Sequence, residues 1–238
     1  MKTKNLKAKA SVLIANYNNA AFIDECINSI LDQNYKNIEI IFVDDNSSDN
    51  SIKVVKKYLK KIKLIKKKKK LGIGCFDQIA SFQEAYKKST GDIIFFLDSD
   101  DFFHKKKIFT FMKKFDSNKN IEILFDFPIK KFDKKKILEK SIQKNYNSYW
   151  PYIFPTSCIA IKKQKIKDIF NQCNFKKFPN IWLDFRVCIF AKHILNQYNF
   201  LDKNLTYYRQ TENNISSKFK HLSVNWWKRR MQAHNYIK

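Results

Sequence analysis

Two short acidic stretches carry the strongest chemical signal in the chain: Asp44-Asp45, and Asp98-Ser99-Asp100-Asp101. Carboxylates held this close raise one another's pKa unless a cation or hydrogen-bond donors intervene. A divalent cation resolves the repulsion, and hard oxygen ligands suit magnesium or manganese. Such ions bind through one or two carboxylates while a substrate's phosphates complete the octahedron, so the cluster predicts a diphosphate ligand. Capping and turn formation explain Asp49 but not four polar residues directly after an apolar run. The four histidines (His104, His193, His221, His234) lack metal-ligand spacing and read as surface or packing residues. Five cysteines (Cys26, Cys75, Cys158, Cys173, Cys188) without a C-x-x-C pair argue against a disulfide framework or a zinc site, and for a reducing cytoplasm.

Stepwise alternation of strand and helix patterns positions both acidic stretches. Residues 11–15 form a short branched apolar run, a buried parallel strand, followed by the polar turn Asn16-Tyr17-Asn18-Asn19. Between Ala21 and Gln33 the residues Phe22, Cys26, Ile27, Ile30 and Leu31 recur at helical spacing. Ile38 to Val43 is the next strand, and it delivers Asp44-Asp45 into a loop of capping residues before a Lys-rich helix from Ser51 to about Lys61. Leu64 and Ile65 suggest a third strand, with Lys66 to Lys70 read as its solvated end. A helix from Phe76 to Lys88, stopped by Gly91, precedes the wholly apolar strand Ile93 to Leu97, which delivers Asp98 to Asp101. This order predicts an α/β fold, a doubly wound, mostly parallel sheet flanked by helices, with ligands beyond the carboxyl ends of the strands. Both acidic loops then converge on one rim. Further on, Ile121 to Phe127 and Ser157 to Ile161 read as strands, Lys130 to Lys144 as a basic connection, and Trp182 to Leu195 as helical.

The chain has 238 residues, 44% hydrophobic and 16% aromatic, with 3 Gly and 4 Pro, which excludes disordered and fibrous classes. Its 47 Lys and Arg against 22 Asp and Glu give a formal charge of +25, a field that attracts polyanions. Nucleic acid, anionic lipid and phosphorylated ligands are the candidate partners. Genome bias toward Lys, Asn, Ile and Phe is the competing origin of the excess. No apolar leader is read before the first strand, and no run approaches the ~20 residues of a membrane-spanning helix. Trp226-Trp227-Lys228-Arg229-Arg230 fits either a membrane interface or a terminal helix docked by its tryptophans.

Four blocks in order resemble the family 2 inverting glycosyltransferases of GT-A fold: Val12 to Asn18, Ser29 to Gln33, Val43 to Asp49, and Gly91 to Asp101. The likeness is strongest from about Lys9 to Lys107 and weaker from Trp150 to Ser217. It implies one domain over residues 1–217, with a Rossmann-like nucleotide-sugar-binding half (9–110), an acceptor-binding half (111–217) and a basic aromatic tail (218–238). The implied donor is a nucleoside-diphosphate sugar of UDP type, bound by Ala15, Asn16, Tyr17, Asp44, Asp45, Asp98, Ser99, Asp100 and Arg209. Asp44 is expected to support its loop, and Asp100 and Asp101 to contact Mn2+ or Mg2+.

Inverting transfer needs a base for the acceptor hydroxyl, and the resemblance points to Asp184 within Asn180 to Arg186. Apolar neighbours would raise its pKa toward a useful value; a buried ion pair with Arg186 is the alternative. Two departures stand out. Thr211 occupies a place where the family often has His, and Asp77-Gln78 replace a frequent Arg-Asn pair at a helix start. The implied acceptor is a glycan or lipid-linked saccharide in cell-surface polysaccharide, lipopolysaccharide or capsule biosynthesis, with the enzyme cytoplasmic or peripheral on the inner face of the plasma membrane. Nucleotidyltransfer lacks a Gly-rich phosphate loop here. A basic nucleic-acid-binding protein, or a binding-only homologue, is the remaining alternative; the acidic rim argues against the first, and no specific nucleic acid is expected as a partner.

Overall fold

The computed structural model describes residues 6–132, 135–138, 150–172, 177–210 and 220–238. Strands β1 (Ala10–Asn16), β2 (Ile38–Asp44), β3 (Lys63–Lys66) and β4 (Ile93–Asp98) lie in the order β3-β2-β1-β4 and pair in parallel. Their connections are α1 (Ile23–Leu31), α2 (Ser51–Val55) and α3 (Gly74–Lys87). The second half extends the same sheet through β5 (Phe102–Phe103), β6 (Ile123–Phe132), β7 (Lys135–Leu138), β8 (Ile159–Lys162) and β9 (Asn199–Arg209). Here the pairing changes: β8 runs antiparallel to β4 and β6, while β9 runs parallel to β6 and antiparallel to β5. The remaining helices are α4 (Lys107–Ser117), α5 (Lys163–Gln172), α6 (Leu183–Ile189) and α7 (Val224–Ile237).

Strand alternation divides the core into two layers. Val12, Ile14, Ile40 and Phe42 face one side, where Ile23, Ile27 and Ile30 of α1, Val55 of α2, and Ile108 and Phe111 of α4 cover them. Leu13, Ile41, Val43, Ile94 and Phe96 face the other, under Ile79 and Phe82 of α3, Ile166 and Ile169 of α5, and Leu183 and Val187 of α6. Strands covered on both faces must be apolar throughout, which is why β1 and β4 read as unbroken apolar runs. Phe82 meets Phe96 edge-on at 5.0 Å, and truncating a ring packed this way costs roughly 3–5 kcal/mol.

Several boundaries differ from the sequence reading. The Lys-rich helix closes early, at Val55, and passes into a 3-10 turn over Lys56–Tyr58. Two adjacent β-branched valines and a cluster of like charges weaken the helix at that point. The segment read as a strand from Ser157 begins with a 3-10 turn, Thr156–Cys158, and becomes β8 only at Ile159. β6 runs on to Phe132, into the segment read as a basic connection. Helix α6 continues as a π-helical turn over Phe190–Ile194.

At the amino ends of the central strands, Glu39 acts as a clamp. Its carboxylate accepts from Ser11 Oγ (2.6 Å), Thr90 N (2.5 Å), Thr90 Oγ1 (2.9 Å), Gly91 N (3.0 Å) and Lys63 Nζ (2.9 Å). Burial opposes its charge, yet these donors hold its pKa well below the ordinary carboxylate range. The clamp fixes β1, β2 and the entry to β4 at the end opposite the acidic loops.

Candidate active site

Three loops meet at the carboxyl ends of β1, β2 and β4. The first two are tied to each other: Asn16 Nδ2 donates to Asp44 Oδ1 at 2.8 Å and to Ser47 Oγ at 3.1 Å. Asp44 also accepts from the Ser47 hydroxyl (2.6 Å) and backbone N–H (3.0 Å), which ties its own loop to the end of β2. Asn18, at φ 52°, accepts from Ser48 N through Oδ1 at 2.8 Å. Asn16 Oδ1 is left buried without a hydrogen-bond partner, an acceptor available to a ligand's N–H. Ala15 accepts from Ser99 N at 3.1 Å, and Tyr17 is 48% exposed with the Lys70 ammonium over its ring.

Lys67, read from sequence as part of a solvated run, is drawn inward. Its Nζ pairs with Asp45 Oδ1 at 2.5 Å and reaches Asp77 O (3.3 Å) and Ser81 Oγ (3.4 Å). It therefore places a cation beside Asp45, at a helix start where Asp77 stands in place of a cationic residue. Nothing in a run of five lysines marks which one turns inward; the signal was the unpaired buried acid at Asp45.

The third loop holds the acidic cluster. Asp98 Oδ1 accepts from Gln78 Nε2 at 2.7 Å. Burial first, then the charges of Asp100 and Asp184, push the Asp98 carboxyl up to about 8 against that bond. Burial likewise raises Asp100, whose charge Arg209 favours. Ser99 is fully buried, its Oγ accepting from Asn19 Nδ2 at 3.0 Å. Asp101 differs from its neighbours: Oδ2 accepts from Ser157 Oγ (2.6 Å) and Oδ1 from Arg209 N (2.8 Å). Asp101 is 1% exposed with each oxygen engaged within the chain, and burial first, then the charges of Asp100 and Asp98, raise its pKa.

Beneath the cluster lies a buried polar network that the sequence reading missed. Ser157 Oγ also accepts from Asp98 N at 3.1 Å. Its carbonyl accepts from Lys107 Nζ at 2.7 Å, and Lys107 pairs with Asp126 Oδ1 at 2.8 Å and with Thr206 Oγ1, all fully buried. These four residues are spread over about 100 positions of the chain, so no local spacing could announce them.

Arg209 reaches the cluster because β5 pairs with β9, with Phe102 and Tyr207 stacked at 4.4 Å. Its Nε donates to Asp100 O at 2.8 Å, and its guanidinium pairs with Glu25 and lies 4.4 Å from the Phe22 ring centre. Burial opposes the Glu25 charge, but Arg209 and Lys131 outweigh it and hold its pKa low. The neighbouring Thr211 lies outside the described residues.

Asp184 stands in the first turn of α6, where Oδ1 accepts from Phe185 N at 2.6 Å. Burial raises its pKa, countered by Arg229 of α7. Arg186 instead donates to Ile181 O and Phe178 O, each at 3.0 Å, and stacks over Tyr236. The alternative of an Asp184–Arg186 pair therefore gives way to Arg229 as the cation acting on Asp184. Among the charges that raise the Asp98 carboxyl, that of Asp184 is the smallest contribution.

Among the described residues no three His, Cys, Asp or Glu side chains form an ion-holding group by themselves. The arrangement fits an ion held by Asp98 and Asp100 only when ligand oxygens complete the shell. Under-compensated carboxylates with raised pKa values are what such a half-site produces.

The "Glycosyl transferase family 2" model matches residues 11–179. An uncharacterized glycosyltransferase of Nostoc sp. is 29% identical over 217 residues, 84% of this chain and 64% of that protein. The poly(ribitol-phosphate) beta-N-acetylglucosaminyltransferase TarS of Staphylococcus aureus is 31% identical over 102 residues, 42% of this chain and 18% of TarS. The chain thus spans less than two thirds of either relative. The structure of S. aureus TarS residues 1-349 in complex with UDP-GlcNAc superposes with a TM-score of 0.67 at 18% identity, covering 94% of this chain and 65% of that one. The mannosyltransferase PcManGT from Pyrobaculum calidifontis, in complex with GDP-Man and Mn2+, gives 0.62 at 14% identity, covering 96% and 74%. At these identities the likeness establishes the GT-A fold.

Proposed function

Because the chain belongs to glycosyl transferase family 2, we propose that it moves a sugar from a UDP-sugar to a glycan or lipid-linked saccharide with inversion at the anomeric carbon. The observation that carries this reading is the pair of partly compensated carboxylates, Asp98 and Asp100, at the carboxyl end of β4, beside the Asn16 and Asp45 loops at the ends of β1 and β2. The UDP preference is supported by the likeness to TarS in both sequence and fold.

In this reading Asn16, Tyr17 and Asp45 take the base and ribose, with Ala15 and Asp44 shaping the loop and Lys67 fixing Asp45. Asp98 and Ser99 line the ribose and diphosphate. Asp100, aided by Asp98, would hold Mn2+ or Mg2+ against the diphosphate, where the ion neutralises charge on the leaving group. Asp101 and Arg209 hold Asp100 in place, with the guanidinium adding positive charge near the diphosphate. Asp184 accepts the proton of the acceptor hydroxyl as that oxygen bonds to the anomeric carbon and the bond to the diphosphate breaks. Residues 9–110 supply the donor half and residues 111–217 the acceptor half, and the reaction belongs to surface-glycan assembly on the cytoplasmic side of the membrane.

The test is calorimetric titration of UDP, GDP and their common sugars, each with and without manganese. Manganese-dependent binding of UDP and UDP-sugars supports the reading. Indifference to every nucleotide, with tight salt-sensitive binding to RNA or DNA, overturns it.

A further inference from the structure

Helix α7 has two unlike faces. The inner face is docked: Ala233 packs with Phe178, Ile181, Phe185 and Ile189, and Gln232 Oε1 accepts from Asn180 N at 2.9 Å. The sequence left this tail either at a membrane interface or docked by its tryptophans; its inner face packs through Ala233, Tyr236 and Ile237. The outer face carries Val224, Trp227 and Met231 at i, i+3 and i+7, exposed by 70%, 57% and 59%, with Leu222 exposed by 61% just before the helix. Exposed Lys228 and Arg230 flank that stripe on opposite sides, and no Asp or Glu occurs between Lys220 and Lys238.

We propose that the outer face of α7 is a docking surface for an anionic lipid bilayer. An apolar stripe with a tryptophan, bordered by cations and free of carboxylates, matches acyl chains at the centre and anionic headgroups at the edges. A second copy of this chain fits poorly, because a two-fold contact through this face would oppose lysines and arginines with no acid between them. Nucleic acid would satisfy the cations but leave Val224 and Met231 against phosphate. Docking would set α6, and with it Asp184, at the bilayer, so that the acceptor is lipid-linked. That last consequence rests on the glycosyltransferase reading; the docking does not.

The test is flotation of the full chain with vesicles of phosphatidylcholine alone and of phosphatidylcholine mixed with phosphatidylglycerol, at physiological salt. Wild type is expected to float only with the mixed vesicles, with a blue shift of tryptophan emission. The paired substitution Trp227→Ser and Met231→Ser should lower partition about tenfold, and Lys228→Glu with Arg230→Glu should abolish it. Both variants should keep the thermal midpoint and the manganese-dependent UDP affinity of wild type, which separates this inference from the functional reading. Partition unchanged by the apolar pair would overturn the proposal, as it would trace binding to net charge alone. Failure of wild type to float, or a dimer dissolved by the apolar pair, would equally overturn it.

Discussion

Ser157 Oγ donates to Asp101 Oδ2 at 2.6 Å while accepting from Asp98 N at 3.1 Å, so one hydroxyl from the turn before β8 holds both ends of the acidic loop. Groups that orient metal-binding carboxylates commonly contribute 10–100-fold in affinity. Ser157→Ala is therefore expected to weaken manganese-dependent UDP binding by about tenfold to a hundredfold, while metal-free nucleotide binding changes little. Calorimetry with and without manganese reads the two effects apart. Equal weakening in both conditions would mean that the hydroxyl merely holds the fold.

On the proposed reading the acidic loop binds the donor and Asp184 takes the acceptor proton, so their removal should differ. Asp100→Ala is expected to abolish the manganese-dependent part of donor binding. Asp184→Asn should leave donor affinity within about twofold and lower turnover by roughly 10²–10⁴, the usual contribution of a general base. Parallel titration and single-turnover assays decide the matter; loss of donor binding in Asp184→Asn would remove the residue from the base role.

The pH dependence follows from the same residue. Burial raises the Asp184 pKa, so the base is ionised only above the ordinary carboxylate range near 3.9. Activity should fall with decreasing pH on a limb displaced upward from that value. The stability linkage has the opposite sense: the folded state favours the protonated acid, so this contribution is present at low pH and lost as pH rises through the raised pKa. Asp184→Asn, fixed neutral, should melt higher than wild type at pH 8 and no higher at pH 4. A scan of midpoint against pH checks the crossing.

What the sequence made legible was the half of the fold whose contacts are local. Unbroken apolar strands and helical spacing up to Asp101 were readable because β1, β2 and β4 are covered on both faces, and β1, β2 and β3 are each followed by a helix. The meeting of Asp44-Asp45 with Asp98 to Asp101 followed from parallel topology alone. Illegible were contacts closed by the second half, where antiparallel β8 brings Ser157 under the loop and β9 brings Arg209 over it. Lys67 was hidden for another reason: in a run of identical residues, only the position of Asp45 decides which ammonium is buried. The engagement of Asp101 by Ser157 and Arg209 was equally hidden, since both partners come from the second half of the chain.

The clamp at Glu39 tests the scaffold independently of chemistry. Its depressed pKa means that its contribution to stability is present above the ordinary carboxylate range and lost as pH falls toward the folded value. Glu39→Gln keeps the shape but removes charge from several charge-assisted hydrogen bonds, for a loss of roughly 2–3 kcal/mol at pH 7. Its acid-unfolding limb should be shallower than that of wild type. Gly91 closes the same clamp: a Cβ there would lie 2.6 Å from Ser11 Oγ and 2.8 Å from Lys9 O and Ser11 N. Two of those three neighbours are backbone, so Gly91→Ala should cost about 1–3 kcal/mol or more through forced displacement. Urea unfolding at pH 7 and pH 3 measures both variants, and a Glu39→Gln loss that does not shrink at the lower pH would show that the charge contributes nothing.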